Sequence, residues 1–175
     1  GAHMLFHYMD PDHPIHEEDE LLATGIRTLY EEMDGVLGQL LEFIEQDDRE
    51  TTLMVMSDHG FSPFYWGVNL NSWLLEKGYV TLRDPSLQGQ NPLFLNVDWE
   101  RTTGYAVGLQ GLYVNLQGRE GHGIVPPSEY EQVLDRLETD LLAMRDERTG
   151  RSPVRLVFRP RDEWQGADPN TAPDI

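Results

Sequence analysis

The chain has 175 residues, 39% of them hydrophobic, which is enough for one domain of ordinary size with a sizeable core. Its 31 acidic and 13 basic residues give a formal net charge of −18, which disfavours binding to nucleic acid or to an anionic membrane surface. Because the chain has no cysteine, disulfides, thiolate zinc sites and cysteine nucleophiles are excluded, and any metal must be bound by histidine and carboxylate groups.

The first helix is predicted from hydrophobic periodicity. From about residue 17 to residue 46, the apolar residues recur at the 3-4-4-3 spacing of one helix face. The acidic stretch 47–50 is the predicted loop, and the apolar run from Leu53 to Met56 is the predicted strand, buried on both faces. A helix followed by a buried strand is typical of α/β proteins.

The rest of the chain gives further predicted elements. They are a short helix over 69–77 closed by Gly78, a short strand over 79–82, a surface excursion over 84–100, a hairpin of strands 102–107 and 112–116, a helix from about 130 and a strand over 154–158. Ser128 and Glu131 have the spacing of a capping box at the start of the second long helix.

The stretch "LMVMSDHGFSP" contains the main candidate site. Asp58 and His59 follow the predicted strand directly, and functional groups gather beyond the carboxyl ends of strands in open parallel sheets. A turn enforced by Gly60 would allow the carboxylate and the imidazole to approach one cation or two neighbouring cations. The alternative is structural, with an aspartate that caps the turn and a histidine packed beside it.

Several segments in the same order resemble one known family. "VMSDHGF" is similar to the segment that ends a core strand in the alkaline phosphatase superfamily, in its type I phosphodiesterase and nucleotide pyrophosphatase branch. "YMDPDHP", "VNLNSWLLEKGY", "LYVNLQGREGHGIV" and "APDI" resemble segments of the prokaryotic members described as predicted phosphohydrolases or phosphomutases. The resemblance extends from about residue 5 to residue 175.

The resemblance implies a phosphoryl-transfer enzyme with two divalent metal ions, zinc or manganese, and a phosphorylated small-molecule substrate. It assigns Asp58 and His59 as metal ligands, leaves the substrate-binding residues unknown, and matches no catalytic nucleophile in this chain. We therefore expect the nucleophile and the remaining ligands to lie outside these residues, and the isolated chain to be an inactive internal fragment. Two alternatives are a non-catalytic binding module that retains the fold and a phosphomutase.

Other polar residues have weaker claims. Asp12 and His16 have the Asp-x-x-x-His spacing of a ligand pair, but a proline-rich turn before the long helix is the favoured interpretation. His122 is interpreted as a solvated loop histidine, and Arg119 as a surface arginine, with a phosphate clamp as the alternative. The aromatic residues after the candidate pair could form the wall of a substrate pocket or cover the sheet; they are Phe61, Phe64, Tyr65 and Trp66.

The expected architecture is α/β, part of an alkaline-phosphatase-like parallel sheet with flanking helices. Residues 1–4, Gly-Ala-His-Met, are typical of an expression-tag remnant, 5–175 form a single domain fragment, and 62–125 form an inserted cap-like region. Apolar strand edges in a fragment favour a homo-oligomer. No membrane span or signal-peptide segment is recognised. The expected location is cytoplasmic, and the acidic net charge predicts that the protein binds neither membranes nor nucleic acid.

Overall fold

The computed structural model describes residues 2–90, 94–166 and 168–175, with only the backbone described at residues 2 and 3. The expected tag remnant 1–4 and the excursion 84–100 therefore lie partly outside the described residues. The chain divides into two compact units, Gly1–Gly67 and Val68–Ile175.

The first unit is built on two helices. Helix α1 spans Ala2–Met9, and helix α2 spans Glu20–Glu45. The side chain of Asp19 accepts a hydrogen bond from the backbone N–H of Leu22 at 2.9 Å, which caps the amino terminus of α2. The predicted long helix is thus confirmed, whereas helix α1 was not predicted.

The apolar face of α2 is largely exposed among the described residues. Of this helix only Ile26 is buried, while Tyr30, Met33 and Phe43 are more than half exposed. The hydrophobic periodicity therefore predicts the helix correctly, although most of the face that it defines has no cover in this unit.

The predicted buried strand Leu53–Met56 is wrong. Residues 51–57 have no regular secondary structure, and the exposed fractions of Met54, Val55 and Met56 are 75%, 76% and 81%. A strand needs a neighbour for its backbone groups, and no described residue forms a backbone hydrogen bond with this segment. The run therefore has the composition of a buried strand without the pairing that would make it one.

The second unit begins with helix α3, Leu70–Glu76, which confirms the helix predicted over 69–77. The side chain of Asn69 accepts from the backbone N–H of Ser72 at 3.0 Å, and Gly78 follows with a φ of 79°, a left-handed conformation that favours glycine. The strand predicted over 79–82 is reduced to a single bridge between Leu82 and Val97.

The predicted hairpin is confirmed. Strand β1, Gly104–Val107, pairs antiparallel with strand β2, Gly111–Val114, in a register that places Gly104 opposite Val114. This two-stranded antiparallel sheet is the only sheet among the described residues, so the structure mixes helices with a small antiparallel sheet and does not show the expected parallel sheet.

Helix α4, Tyr130–Leu142, confirms the second long helix, and its buried residues are Tyr130, Leu134, Leu137 and Leu141. The predicted capping box does not form, because the residue at the amino-terminal cap is Glu129 and its side chain makes no capping hydrogen bond. The strand predicted over 154–158 is also absent from the described residues. That segment is irregular and leads into the short helix α5, Pro160–Glu163.

The core of the second unit lies between α3, the hairpin and α4. Its fully buried side chains include Leu74, Tyr79, Val114 and Leu137, and Met144, two residues after the end of α4, is buried against them. Each of these elements contributes one apolar face, so the core forms only when the segments meet in three dimensions.

Candidate metal centre

Asp58 and His59 lie in a bend of the first unit, after the irregular apolar segment. Ser57 Oγ donates to the carbonyl oxygen of His59 at 2.6 Å, which helps to close the bend. Gly60 does not have a positive φ, and a Cβ atom there would meet no described atom within 4 Å. The expected role of Gly60 in enforcing the turn is therefore wrong.

The two candidate side chains face each other. Asp58 Oδ1 accepts a hydrogen bond from the backbone N–H of His59 at 3.1 Å, and the other carboxylate oxygen, Oδ2, lies 3.2 Å from His59 Nε2. His59 Nδ1 lies 3.0 Å from the carbonyl oxygen of Gly60. When Nδ1 donates to that carbonyl in a neutral imidazole, Nε2 presents a lone pair; in an imidazolium, Nε2 donates to Asp58 instead.

The pair is open to solvent on one side and borders aromatic residues on the other. The side chains of Asp58 and His59 are 83% and 55% exposed. The centroid of the His59 ring is 5.4 Å from that of Phe61, and the Phe61 ring stacks on Phe6 at 5.6 Å. Phe61 and Phe64 also line a cavity of about 290 Å³ within this unit.

The other ligand candidates are not brought to this pair. His16 Nδ1 lies 2.8 Å from the carbonyl oxygen of His7, and the backbone N–H of Asp12 donates to Asp10 in the turn before α2. Among the described ranges, no group of three or more histidine or acidic side chains could hold one metal ion. The interpretation of residues 10–16 as a turn is confirmed.

His122 is exposed in its loop, as expected. Its backbone carbonyl oxygen accepts from the side-chain amide of Asn115 at 3.1 Å.

Arg119 is neither a surface arginine nor a phosphate clamp. Its side chain is only 9% exposed, and all five of its N–H donors meet protein acceptors. Nε donates to Glu120, while Nη1 and Nη2 donate to the two carboxylate oxygens of Asp174 at 2.8 and 2.6 Å. The remaining donors reach the carbonyl oxygens of Pro169 and Val114.

The Asp174 carboxylate is the centre of this network. It is 3% exposed and accepts from Arg119, from the backbone N–H of Val114 at 2.7 Å and from the hydroxyl of Tyr130. These four donors occupy the acceptor positions of both oxygens, so the buried charge is paired and fully hydrogen-bonded. The side-chain hydrogen bonds to Asp174 and the smaller contribution of Glu120 raise the pKa of Arg119 against the opposing effect of burial, so the guanidinium stays charged.

Comparison with family models identifies the chain. The model described as type I phosphodiesterase/nucleotide pyrophosphatase matches residues 2–175. The chain belongs to this family, which confirms the resemblance seen in the "VMSDHGF" segment. Comparison with curated proteins and with solved structures gives no significant match.

The family description indicates a hydrolase of the phosphodiesterase/pyrophosphatase type and suggests a small-molecule substrate. In the part of the chain that the structure describes, no helix is long and apolar enough to cross a membrane.

Sequence reasoning missed the Asp174 network. The tail after Gly166 reads as irregular, and Asp174 is 55 residues from Arg119 and 44 from Tyr130. The available signal is that the segments carrying Arg119 and Asp174, "GREG" and "APDI", both match the same family. Two opposite charges in matching segments favour a pairing that periodicity cannot reveal.

Replacing Tyr130 with phenylalanine is expected to reduce the loss of stability at high pH. Burial, and next the hydrogen bond to Asp174, raise the pKa of Tyr130 from 10.0 to about 12. Between these values the folded chain keeps a proton that the unfolded chain has lost, so the stabilisation is complete below pH 10 and disappears as the pH rises to about 12.

Urea unfolding at about pH 9 and about pH 11 measures this dependence. Burial also raises the pKa of Tyr105 to about 12. Part of the decrease in unfolding free energy between the two pH values therefore remains in Tyr130→Phe. The matched control is Tyr30→Phe, since Tyr30 is 70% exposed, and it should keep the wild-type slope. Equal slopes in Tyr130→Phe and the wild type would contradict the prediction.

Proposed function

We propose that Asp58 and His59 are ligands of a two-metal centre in a phosphohydrolase that acts on phosphate mono- or diesters. The observation that carries the proposal is the 3.2 Å separation between Asp58 Oδ2 and His59 Nε2 in a chain of this family. With metal–ligand bonds of about 2.0–2.2 Å, neighbouring ligand atoms on a tetrahedral zinc ion are about 3.4 Å apart. The two atoms are therefore spaced to bind the same ion.

The hydrogen bonds around the pair suit this role. Gly60 O engages His59 Nδ1, which fixes the ring orientation and directs Nε2 toward the ion, as backbone carbonyls do for many metal-binding histidines. The backbone N–H of His59 engages Asp58 Oδ1, so Oδ2 is the oxygen that would bind the metal. When bound, two divalent ions, zinc or manganese, polarise the substrate phosphate and offset the charge that develops in phosphoryl transfer.

A pair of ligands does not complete a catalytic metal site, which has at least three protein ligands. In the proposed enzyme the other ligands and the nucleophile come from outside these 175 residues, so the chain is a fragment of the active protein.

The finer architecture is proposed on related grounds. Residues 51–57 have a strand composition, exposed side chains and no backbone partner among the described residues. Pairing with further strands in an alkaline-phosphatase-like parallel sheet would supply hydrogen-bond partners for the backbone of this segment and would bury its exposed side chains. In that arrangement 5–175 belong to one α/β domain, with 62–125 as an inserted cap-like region. In the isolated chain, the same exposed segment favours a homo-oligomer.

Zinc is expected to shift the imidazole NMR signals of His59 in the 175-residue chain, with weak affinity because only two ligands are present. Replacing Asp58 with asparagine should weaken the zinc-dependent shift strongly, since an amide oxygen carries no charge and is a poorer zinc ligand. The matched control is His122→Ala, which removes an exposed loop histidine and should leave the His59 shift unchanged.

A His59 signal that zinc shifts equally in Asp58→Asn and in the wild type would contradict shared ligation. A His59 signal that does not respond to zinc would indicate that Asp58 and His59 form only an ion pair within a bend. That result would favour the non-catalytic binding module.

The 175-residue chain is expected not to hydrolyse p-nitrophenyl phosphate or bis(p-nitrophenyl) phosphate above the rate of the metal ions alone. Two ligands cannot position two ions and a nucleophile around the phosphate. Release of p-nitrophenol, followed with zinc and with manganese, measures this. Metal-dependent turnover that disappears in His59→Ala would show that the chain contains a complete site, and would contradict the proposed location of the nucleophile.

A further inference from the structure

The second unit contains a cavity of about 440 Å³, a volume in the range of small-molecule sites. Its floor is apolar and belongs to the core, with Val80, Val97 and Ala106 all buried. Phe94 forms one wall, and its ring is held by edge contacts with the rings of Trp99 at 5.5 Å and Tyr105 at 5.8 Å.

Two side-chain amides brace the walls of the cavity. Asn71, on α3, donates to the carbonyl oxygen of Ala106 and accepts from its backbone N–H, both at 2.9 Å, which fixes α3 against β1. Asn96 forms the same kind of pair with the backbone of Asp84, at 2.7 and 3.1 Å. These doubled hydrogen bonds hold the walls in place without a ligand, so the cavity is preformed.

The rim offers hydrogen-bonding groups that the described residues leave available. Ser72 and Gln88 are among the residues that line the cavity, and neither the hydroxyl of Ser72 nor the side-chain amide of Gln88 makes a hydrogen bond to a described residue. Both residues are exposed at the mouth. A ligand can therefore exchange donors and acceptors with the rim while its body rests on the apolar floor.

No ionisable side chain is among the described residues that line the cavity. This is notable in a chain with a net charge of −18. A charged group that entered would lose part of its hydration and gain no partner of opposite sign from these lining residues, which is unfavourable for anions and cations alike. The site therefore selects against phosphate, carboxylate and ammonium groups.

We propose that this cavity binds a small uncharged ligand with a planar apolar ring and an amide-type edge. The ring would stack against Phe94 and lie on the floor formed by Val80, Val97 and Ala106. Its edge would exchange hydrogen bonds with Gln88 and Ser72, because an amide group offers both a donor and an acceptor. The proposal does not depend on the metal centre, since none of the cavity residues belongs to it.

A matched series of probes tests this assignment on the intact 175-residue chain. Benzamide, benzoate and benzamidine share a ring and a planar substituent but differ in charge, being neutral, negative and positive. Titrations followed by amide nitrogen–proton NMR spectra should give a dissociation constant for benzamide of about millimolar, as expected for so small a ligand. The perturbed signals should include the backbone amides of Ala106 and Gly108 and the side-chain amide of Gln88, whereas benzoate and benzamidine should perturb none of these.

Two variants locate the binding. Ser72→Leu places an apolar side chain at the mouth and should abolish the benzamide shifts, while Glu76→Leu, an exposed position of the same helix outside the cavity, should retain them. Gln88→Ala should weaken binding about 2- to 10-fold through the loss of one hydrogen bond.

Three results would overturn the proposal. They are benzamide shifts that are absent at millimolar concentration, charged probes that bind as well as benzamide, and benzamide shifts that persist unchanged in Ser72→Leu.

Discussion

The second unit depends on one buried ion pair, between Arg119 and Asp174. The pair joins the loop after β2 to a residue 55 positions later, and the same carboxylate accepts from the backbone of β2 and from the first residue of α4. Backbone hydrogen bonds between Leu112 and residues 174–175 run beside it. A buried pair of this kind stabilises a particular arrangement of segments rather than adding much to stability, because most of the attraction offsets the cost of dehydration. Here it determines where the tail lies on the hairpin and helix α4.

Local signals predicted helices α2, α3 and α4 and the hairpin, but not helices α1 and α5 or the contacts between elements. Helix α2 followed from apolar spacing, α3 from the segment closed by Gly78, and the hairpin from two apolar runs around a glycine-rich turn. Leu53–Met56 failed because a strand exists only with a partner, and composition does not supply one. Arg119 was misread for the same reason, since its acceptor at position 174 cannot be found by periodicity. The candidate pair Asp58 and His59 was first singled out by its position after a predicted strand that the structure does not contain, and the family resemblance then assigned both residues as metal ligands. Their geometry could not have been predicted from the sequence.

The two units carry different kinds of functional evidence. In the first, family membership and the facing atoms of Asp58 and His59 support a role in metal binding, in a bend open to solvent. In the second, braced amides and an apolar floor form a cavity without charge. The metal-site proposal and the ligand-cavity proposal therefore rest on different units of the chain and can be tested independently.

The free energy of unfolding of Asp174→Asn tests the central role of the ion pair most directly. The carboxamide would direct N–H groups at groups that now donate hydrogen bonds to the carboxylate. It would also remove the negative charge at position 174, which leaves the buried Arg119 with Glu120 alone as its ion-pair partner. Urea unfolding should therefore show a loss of about 3–5 kcal/mol. The matched control Asp162→Asn, at an exposed position of α5, should change stability by less than about 0.5 kcal/mol. If Asp174→Asn were as stable as this control, the tail would not be held by the Arg119–Asp174 pair, and the account of the second unit would be wrong.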